Sequence, residues 1–195
     1  MTSIAIIYHS GYGHTKLLAE AIKQGAESVE GVEVRLHTAE EAEGALESFA
    51  DVSGIIFGSP TYMGSVAGDM EQFFDKTSKV WFAQGWKDKL AGGFTNSGSP
   101  SGDKNVTLGR IATLASQHGM LWVNIGDGNE LNDPNFAGAP DEAVNRLGGY
   151  LGVMAQSANA APGPQNPPSG DIKTGYRYGE RFAKAAKRWG LGVID

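Results

Sequence analysis

Short continuous apolar runs alternate along the chain with segments whose apolar residues recur every three or four positions. The first run, Ile4-Ala5-Ile6-Ile7-Tyr8, is rich in β-branched residues and stops at His9-Ser10-Gly11-Tyr12-Gly13. A run of this kind bounded by turn residues suits a strand buried on both faces. From His14 or Thr15 to about Val29 the spacing predicts a helix with Leu17, Leu18, Ala21, Ile22, Gly25 and Ala26 on one face. Val32–Leu36 alternates like an edge strand, and residues 39–49 form a weak acidic helix. Asp51–Phe57 is a second buried strand, ending at Gly58-Ser59-Pro60. A helix from about Gly64 to Lys79 turns Val66, Met70, Phe73, Phe74 and Thr77 inward. Lys89–Thr95 is a further central strand, weakened by Gly92 and Gly93, and a polar loop runs from Asn96 to Asp103. A helix from about Asn105 to His118 and a strand Met120–Ile125 complete the pattern.

Strands alternating with helices in this way predict an α/β fold with a parallel sheet and right-handed crossovers. Residues 126–175 break the pattern, with 9 Gly and 6 of the chain's 8 Pro. The same stretch carries Phe136, Leu147, Tyr150, Leu151, Val153 and Met154, so it reads as an ordered excursion from a single domain spanning 1–195. A substrate lid and a subunit contact are both open for it. The last helix, about 174–190, has Tyr178, Phe182, Ala185 and Trp189 on one face and Arg177, Arg181, Lys184, Lys187 and Arg188 on the other.

Composition narrows the chemistry. The absence of cysteine excludes disulfide frameworks, thiolate metal sites and cysteine nucleophiles. A formal net charge of −6, with no basic stripe outside the last helix, argues against nucleic acid as a partner. No apolar run is long enough for a membrane span, and the first residues lack the basic region of a signal peptide, so a cytoplasmic protein is expected. Glycine numbers 28 of 195 residues, against the usual ~7%. The informative glycines sit in three loops that leave strand C-termini, the edge at which open parallel sheets bind ligands.

The first loop is Ser10-Gly11-Tyr12-Gly13-His14-Thr15. Its glycines allow close backbone approach, and the N–H groups of a starting helix favour a phosphate. It is neither a Walker A loop nor the dinucleotide fingerprint, since Lys16 stands where a third Gly would be needed. A capped strand-to-helix turn is the plainer alternative. The second, Pro60-Thr61-Tyr62-Met63-Gly64, leaves two large apolar groups in a loop, either to pack a flat ring or to tuck into the core. The third, Thr95-Asn96-Ser97-Gly98-Ser99-Pro100-Ser101-Gly102-Asp103, offers hydroxyls and amides to a polar ring edge or simply to solvent. Together, on one sheet edge, they point to an anionic cofactor with a flat ring.

These three loops resemble the FMN loops of WrbA-type flavodoxin-fold proteins, the tryptophan-repressor-binding-protein-like NAD(P)H:quinone oxidoreductases. The similarity extends through Gly68–Asp75, the Trp81 region and His118-Gly119-Met120, and covers roughly residues 1–125. The resemblance implies a flavodoxin-like three-layer fold with a five-stranded parallel sheet in order 2-1-3-4-5. It implies FMN at the switch point, with residues 10–15 on the phosphate and residues 60–64 and 95–102 around the ring. It further implies NAD(P)H as electron donor, Tyr12 near the nicotinamide nucleotide and Trp81 beside the pocket for a quinone-type acceptor. Gln117 stands where the family has a histidine near the ring, and His118 matches that histidine's neighbour. The family is often tetrameric, so a homo-oligomer with pockets completed by neighbouring subunits is expected. The segment between the second and third strands is shorter than is usual in the family, and Tyr62 replaces a commonly basic residue.

No protein nucleophile or general base is required by this chemistry, and no catalytic side chain is assigned. The alternative is an electron-transfer flavodoxin that does not oxidise NAD(P)H directly. Such carriers are strongly acidic near the flavin, whereas these loops lack an acidic cluster. A third possibility is a flavin-binding scaffold without activity. The basic face of the last helix is either a solvated surface or a site for the 2′-phosphate of NADPH.

Overall fold

The structure, a computed structural model, describes residues 1–191. Residues 192–195 of the expected 1–195 domain lie outside that range. Five positions of a parallel sheet are built from β1 (Thr2–Tyr8), β2 (Val32–Thr38), β3 (Gly54–Tyr62), β5 (Leu90–Ser97) and, at the last position, β6 (Leu121–Trp122) and β7 (Val153–Gln156). The order is β2-β1-β3-β5-β6, with β7 also pairing β5. This is the 2-1-3-4-5 flavodoxin-like order. A two-residue strand, β4 (Ser65–Val66), folds back antiparallel on the end of β3.

Both faces of the sheet are covered, which explains why its strands are continuous apolar runs rather than alternating ones. On one face α1 (His14–Glu27) and α6 (Ser169–Leu191) bury Leu18, Ile22, Tyr178 and Phe182 against Ile4, Ile6 and Ile56. On the other, α2 (Ala39–Glu43), α3 (Gly68–Lys76) and α5 (Lys104–Gln117) bury Ala42, Met70, Phe73, Phe74 and Ile111 against Ile7, Ile55 and Phe57. α1 and α6 lie unusually close: a Cβ on Gly25 would stand 1.8 Å from the Tyr176 carbonyl oxygen, and one on Gly179 would stand 1.9 Å from that of Ile22. Part of the glycine excess therefore serves helix contact rather than loops.

Three expectations change. The helix expected over 64–79 is instead the β3–β4 hairpin, then α3, then a separate turn α4 (Ser78–Phe82). The last helix begins at Ser169, before the expected 174. The strand expected over 120–125 exists only as Leu121–Trp122 at the start of β5, and β7 resumes pairing at Phe94. Tyr178 is the physical reason. Its hydroxyl accepts the Gly93 N–H (3.3 Å) and donates to the Val123 carbonyl (2.8 Å). In a regular parallel ladder those two backbone groups would bond each other; the hydroxyl wedges them apart. Gly92 makes room, since a Cβ there would lie 2.0 Å from the Tyr178 oxygen. The chain leaves the sheet after Val123 and returns thirty positions later.

Candidate functional site

A cavity of about 750 Å³ opens at the C-terminal edge of the sheet. Ser10, Tyr12, His14 and Thr15 line it from the first loop and the start of α1; Pro60, Thr61 and Tyr62 line it from the end of β3, which runs on through the expected second loop; and Asn96 and Ser97 line it from the end of β5, with Gly98 and Ser99 just beyond. Among the described residues, no carboxylate lines it.

The first loop is shaped for an anion. Gly13 precedes α1 with φ +91°, a left-handed conformation suited to glycine. The Ser10 hydroxyl oxygen accepts the N–H groups of Gly13 and Lys16, both at 3.1 Å, which leaves its own proton free to donate into the cavity. The remaining N–H groups of the first helical turn have no intrahelical acceptor, and no acidic side chain occupies that turn.

The second and third loops are locked together beneath the cavity. The Thr61 hydroxyl lies 2.8 Å from that of Thr95 and 2.8 Å from that of Thr107 on α5. Thr95 is thus part of the floor rather than the lining. At the mouth, Tyr62 meets Tyr12 edge to face at 6.5 Å. Burial, then the neighbouring Tyr12, pushes the Tyr62 phenol pKa up, so it stays a neutral donor. Gly11 passes close beneath it, with a Cβ position 3.1 Å from the Tyr62 hydroxyl. Met63 (φ +48°) and Gly64 (φ +85°) form the hairpin tip, with Met63 fully exposed outside the cavity. Ser101 is exposed on the outer side of the third loop.

A fourth loop completes the site, and nothing in the loop-by-loop reading of the sequence indicated it. Ser157, Ala158, Asn159, Ala160, Ala161 and Pro162, from the excursion, form the remaining wall. Asn166 gathers this segment: its carbonyl oxygen accepts the Ala158 N–H at 2.7 Å, and its amide lies within 3.2 Å of the carbonyls of Ala158, Ala160 and Ala161. His14 Nε2 reaches the Ala160 carbonyl at 2.9 Å, so the first loop and the fourth are tied directly. The available signal was compositional only, the Gly/Pro-rich run over 126–175.

Three residues expected near the acceptor do not reach the cavity within one chain. Leu121 pairs with Leu90 at the opposite edge of the sheet, so Gln117 and His118 just before it lie at that edge. Gln117 is exposed, whereas His118 is buried, stacked on Trp86 at 4.6 Å and 2.9 Å from the Thr77 hydroxyl. The Thr77 proton goes to the Phe74 carbonyl, so His118 Nε2–H is the donor and the buried Nδ1 has no partner. Desolvation lowers the His118 pKa to about 4. It is a neutral core residue because α5 runs back from the cavity and delivers its C-terminus to the far side. Trp81, half-exposed on α4, packs on the exposed Phe82.

The arrangement offers a helix terminus for an anionic group, a polar edge of hydroxyls and amides, and aromatic rings at the mouth. Its volume falls in the ~300–1,000 Å³ range of cofactor pockets. Comparison with known proteins agrees with that chemistry. The family model described as NADPH-dependent FMN reductase matches residues 29–127. Flavodoxin FldP of Pseudomonas aeruginosa (strain UCBPP-PA14) is 40% identical over 189 residues, spanning 96% of this chain and 98% of that one. Quinone-oxidoreductase QR2 of Triphysaria versicolor is 30% identical over 205 residues, 96% of each chain. Among solved structures, the flavodoxin, WrbA-like protein from Agrobacterium tumefaciens aligns with a TM-score of 0.72 and 36% identity, over 96% of this chain and 99% of that one. With fold, cavity chemistry and relatives in agreement, this chain belongs to the flavodoxin/WrbA-like family of FMN-binding oxidoreductases.

Proposed function

We propose that this protein oxidises NAD(P)H through FMN held in the four-loop cavity and delivers the reducing equivalents to a quinone or similarly flat acceptor. The observation that carries this reading is the pairing, in one carboxylate-free cavity, of an anion-ready helix start at Ser10–Thr15 with a polar ring edge at Asn96–Ser99. FMN, when bound, supplies the hydride chemistry itself.

The residues divide that task. Ser10, Gly11, Gly13, His14 and Thr15 hold the phosphate by backbone and hydroxyl donors. Pro60, Thr61 and Tyr62 flank the ring, with Met63 and Gly64 only shaping the hairpin tip beyond them; Asn96, Ser97, Gly98 and Ser99 bond its polar edge above the floor residue Thr95, and Ser101 stays outside. Tyr12, largely exposed at the mouth, stacks the nicotinamide or the acceptor in turn. Trp81 and Gln117 take part only if a second copy of the chain brings its far edge to the mouth, so a homo-oligomer belongs to this reading.

A second reading, an electron-transfer flavodoxin without direct NAD(P)H oxidation, is favoured by the name of the 40%-identical relative. Anaerobic mixing of the FMN-loaded protein with NADH or NADPH separates the two. Prompt bleaching of the flavin absorbance, reversed by added benzoquinone, is the outcome for an oxidoreductase. No bleaching by either nucleotide, with ready reduction by dithionite, leaves the carrier.

A further inference from the structure

Lys104 opens α5 immediately behind the third loop and is fully buried. Its ammonium donates to the Ser97 hydroxyl at 2.7 Å, to the Pro100 carbonyl at 3.2 Å and to the Ser99 carbonyl. A lysine ammonium has three N–H bonds. All three end on one short loop, the same loop that presents Ser97, Gly98 and Ser99 to the cavity. Gly102 closes around this arrangement with φ +53°; a Cβ there would lie 2.2 Å from the Ser97 hydroxyl and 3.2 Å from the Lys104 nitrogen.

A second charged cluster lies behind the loop. Asp171 on α6, 1% exposed, accepts two bonds from Arg146 at 2.8 and 2.9 Å and one from the Gln156 N–H at 2.8 Å. The Gln156 side-chain amide in turn donates to the Gly98 carbonyl at 3.2 Å. Arg146 also lies 3.7 Å from the exposed carboxylate of Asp141, so Lys104 and Arg146 stand against one buried and one exposed carboxylate.

We propose that Lys104 is the positioning residue of the 97–102 loop: its protonated amine holds the loop in the form that receives the cofactor, so losing that one proton loosens cofactor binding. The inference rests on the FMN reading above. The amine titrates within experimental reach, because burial lowers its pKa from 10.5 to about 8, with Asp171 opposing that shift and Arg146 adding to it. A neutral amine keeps two N–H bonds for the Ser99 and Pro100 carbonyls and gains a lone pair, so the Ser97 hydroxyl must turn round to donate to it, and the charge-assisted hold on the loop is lost. One such bond is worth about ten-fold in affinity.

FMN affinity, read from quenching of flavin fluorescence at pH 7 and pH 9, tests this on the wild-type chain, Lys104→Met and Ser97→Ala. The wild type is expected to lose about five-fold between the two pH values, approaching ten-fold only at higher pH. Lys104→Met is expected to bind weakly at pH 7 and to change no further than free FMN's own titration dictates. Ser97→Ala, which keeps the buried amine but removes one acceptor, is expected to bind more weakly at pH 7. Parallel pH curves for the wild type and Lys104→Met overturn the proposal. Should Lys104→Met not fold, the titration of the Lys104 ε-carbon by NMR decides the matter on the wild type. Reciprocal linkage requires FMN to raise that midpoint by about one pH unit, and an unmoved midpoint overturns the proposal. Absence of wild-type FMN binding at pH 7 would instead remove the FMN reading itself.

Discussion

Ser157 donates its hydroxyl proton to Asn96 Oδ1 across 2.9 Å, at a point where both residues are buried. The Ser157 N–H also bonds the Ser97 carbonyl at 3.1 Å. The excursion thus starts its return across the cavity from the third loop, and His14 receives it at the first. The pocket wall is a closed circuit of four loops rather than three separate turns.

Asn166 holds the last part of that circuit, so it acts on cofactor binding without lining the cavity. Asn166→Ala leaves the Ala158 N–H and three carbonyls to solvent and frees the segment to fluctuate. FMN affinity is expected to fall by about ten-fold or more, with the far-UV circular dichroism unchanged. Equal affinity, measured by fluorescence quenching, would show that the segment needs no staple.

Gly13 is constrained twice, by its φ of +91° and by Pro162, whose Cγ lies 3.0 Å from a Cβ built at that position. Gly13→Val therefore distorts both the anion-binding turn and the fourth loop. A loss of FMN affinity of at least about ten-fold is expected, and unchanged affinity in calorimetric titration would refute the phosphate role of the turn.

Tyr178 sits in the sheet ladder as a bridging hydroxyl. Tyr178→Phe leaves the Gly93 N–H and the Val123 carbonyl buried without a partner, at a cost of about 2–4 kcal/mol. Urea unfolding reads this directly. A change below ~0.5 kcal/mol would mean that the two backbone groups close on each other once the oxygen is gone.

His118 links stability to acid pH. Its folded pKa is about 4 against 6.5 in the unfolded chain, so between those values the unfolded state binds a proton that the native state does not. Stability therefore falls as pH drops from 6.5 towards 4, by up to about 3 kcal/mol. His118→Phe is expected to flatten that part of the curve. Parallel wild-type and variant curves from pH 7 to 4.5 would contradict it.

Much of the fold was legible because the doubly covered sheet writes itself as apolar runs: Ile4–Tyr8 and Ile55–Phe57 fill both faces at once. The first loop was legible as the break after an apolar run, whereas Gly58–Tyr62 and Asn96–Ser97, read as loops, continue β3 and β5 because their polar residues still pair along the sheet. The broken last strand was not. Its interruption depends on Tyr178, 55 positions beyond Val123, inserting a hydroxyl that no local pattern encodes. Nor was the fourth loop, whose placement rests on long-range bonds such as Ser157 to Asn96 and His14 to Ala160. His118 entered through the resemblance, and its place at the far edge of the sheet depends on where α5 delivers its C-terminus, which no local pattern encodes.

The central claim is that the four-loop cavity holds FMN, and titration of the purified chain with FMN, followed by flavin fluorescence and by the visible spectrum after gel filtration, tests it most directly. One equivalent retained per chain, with quenched fluorescence and a structured flavin band, is the predicted result, and it should be diminished in Gly13→Val. Free FMN eluting apart from a colourless, folded protein would contradict the account.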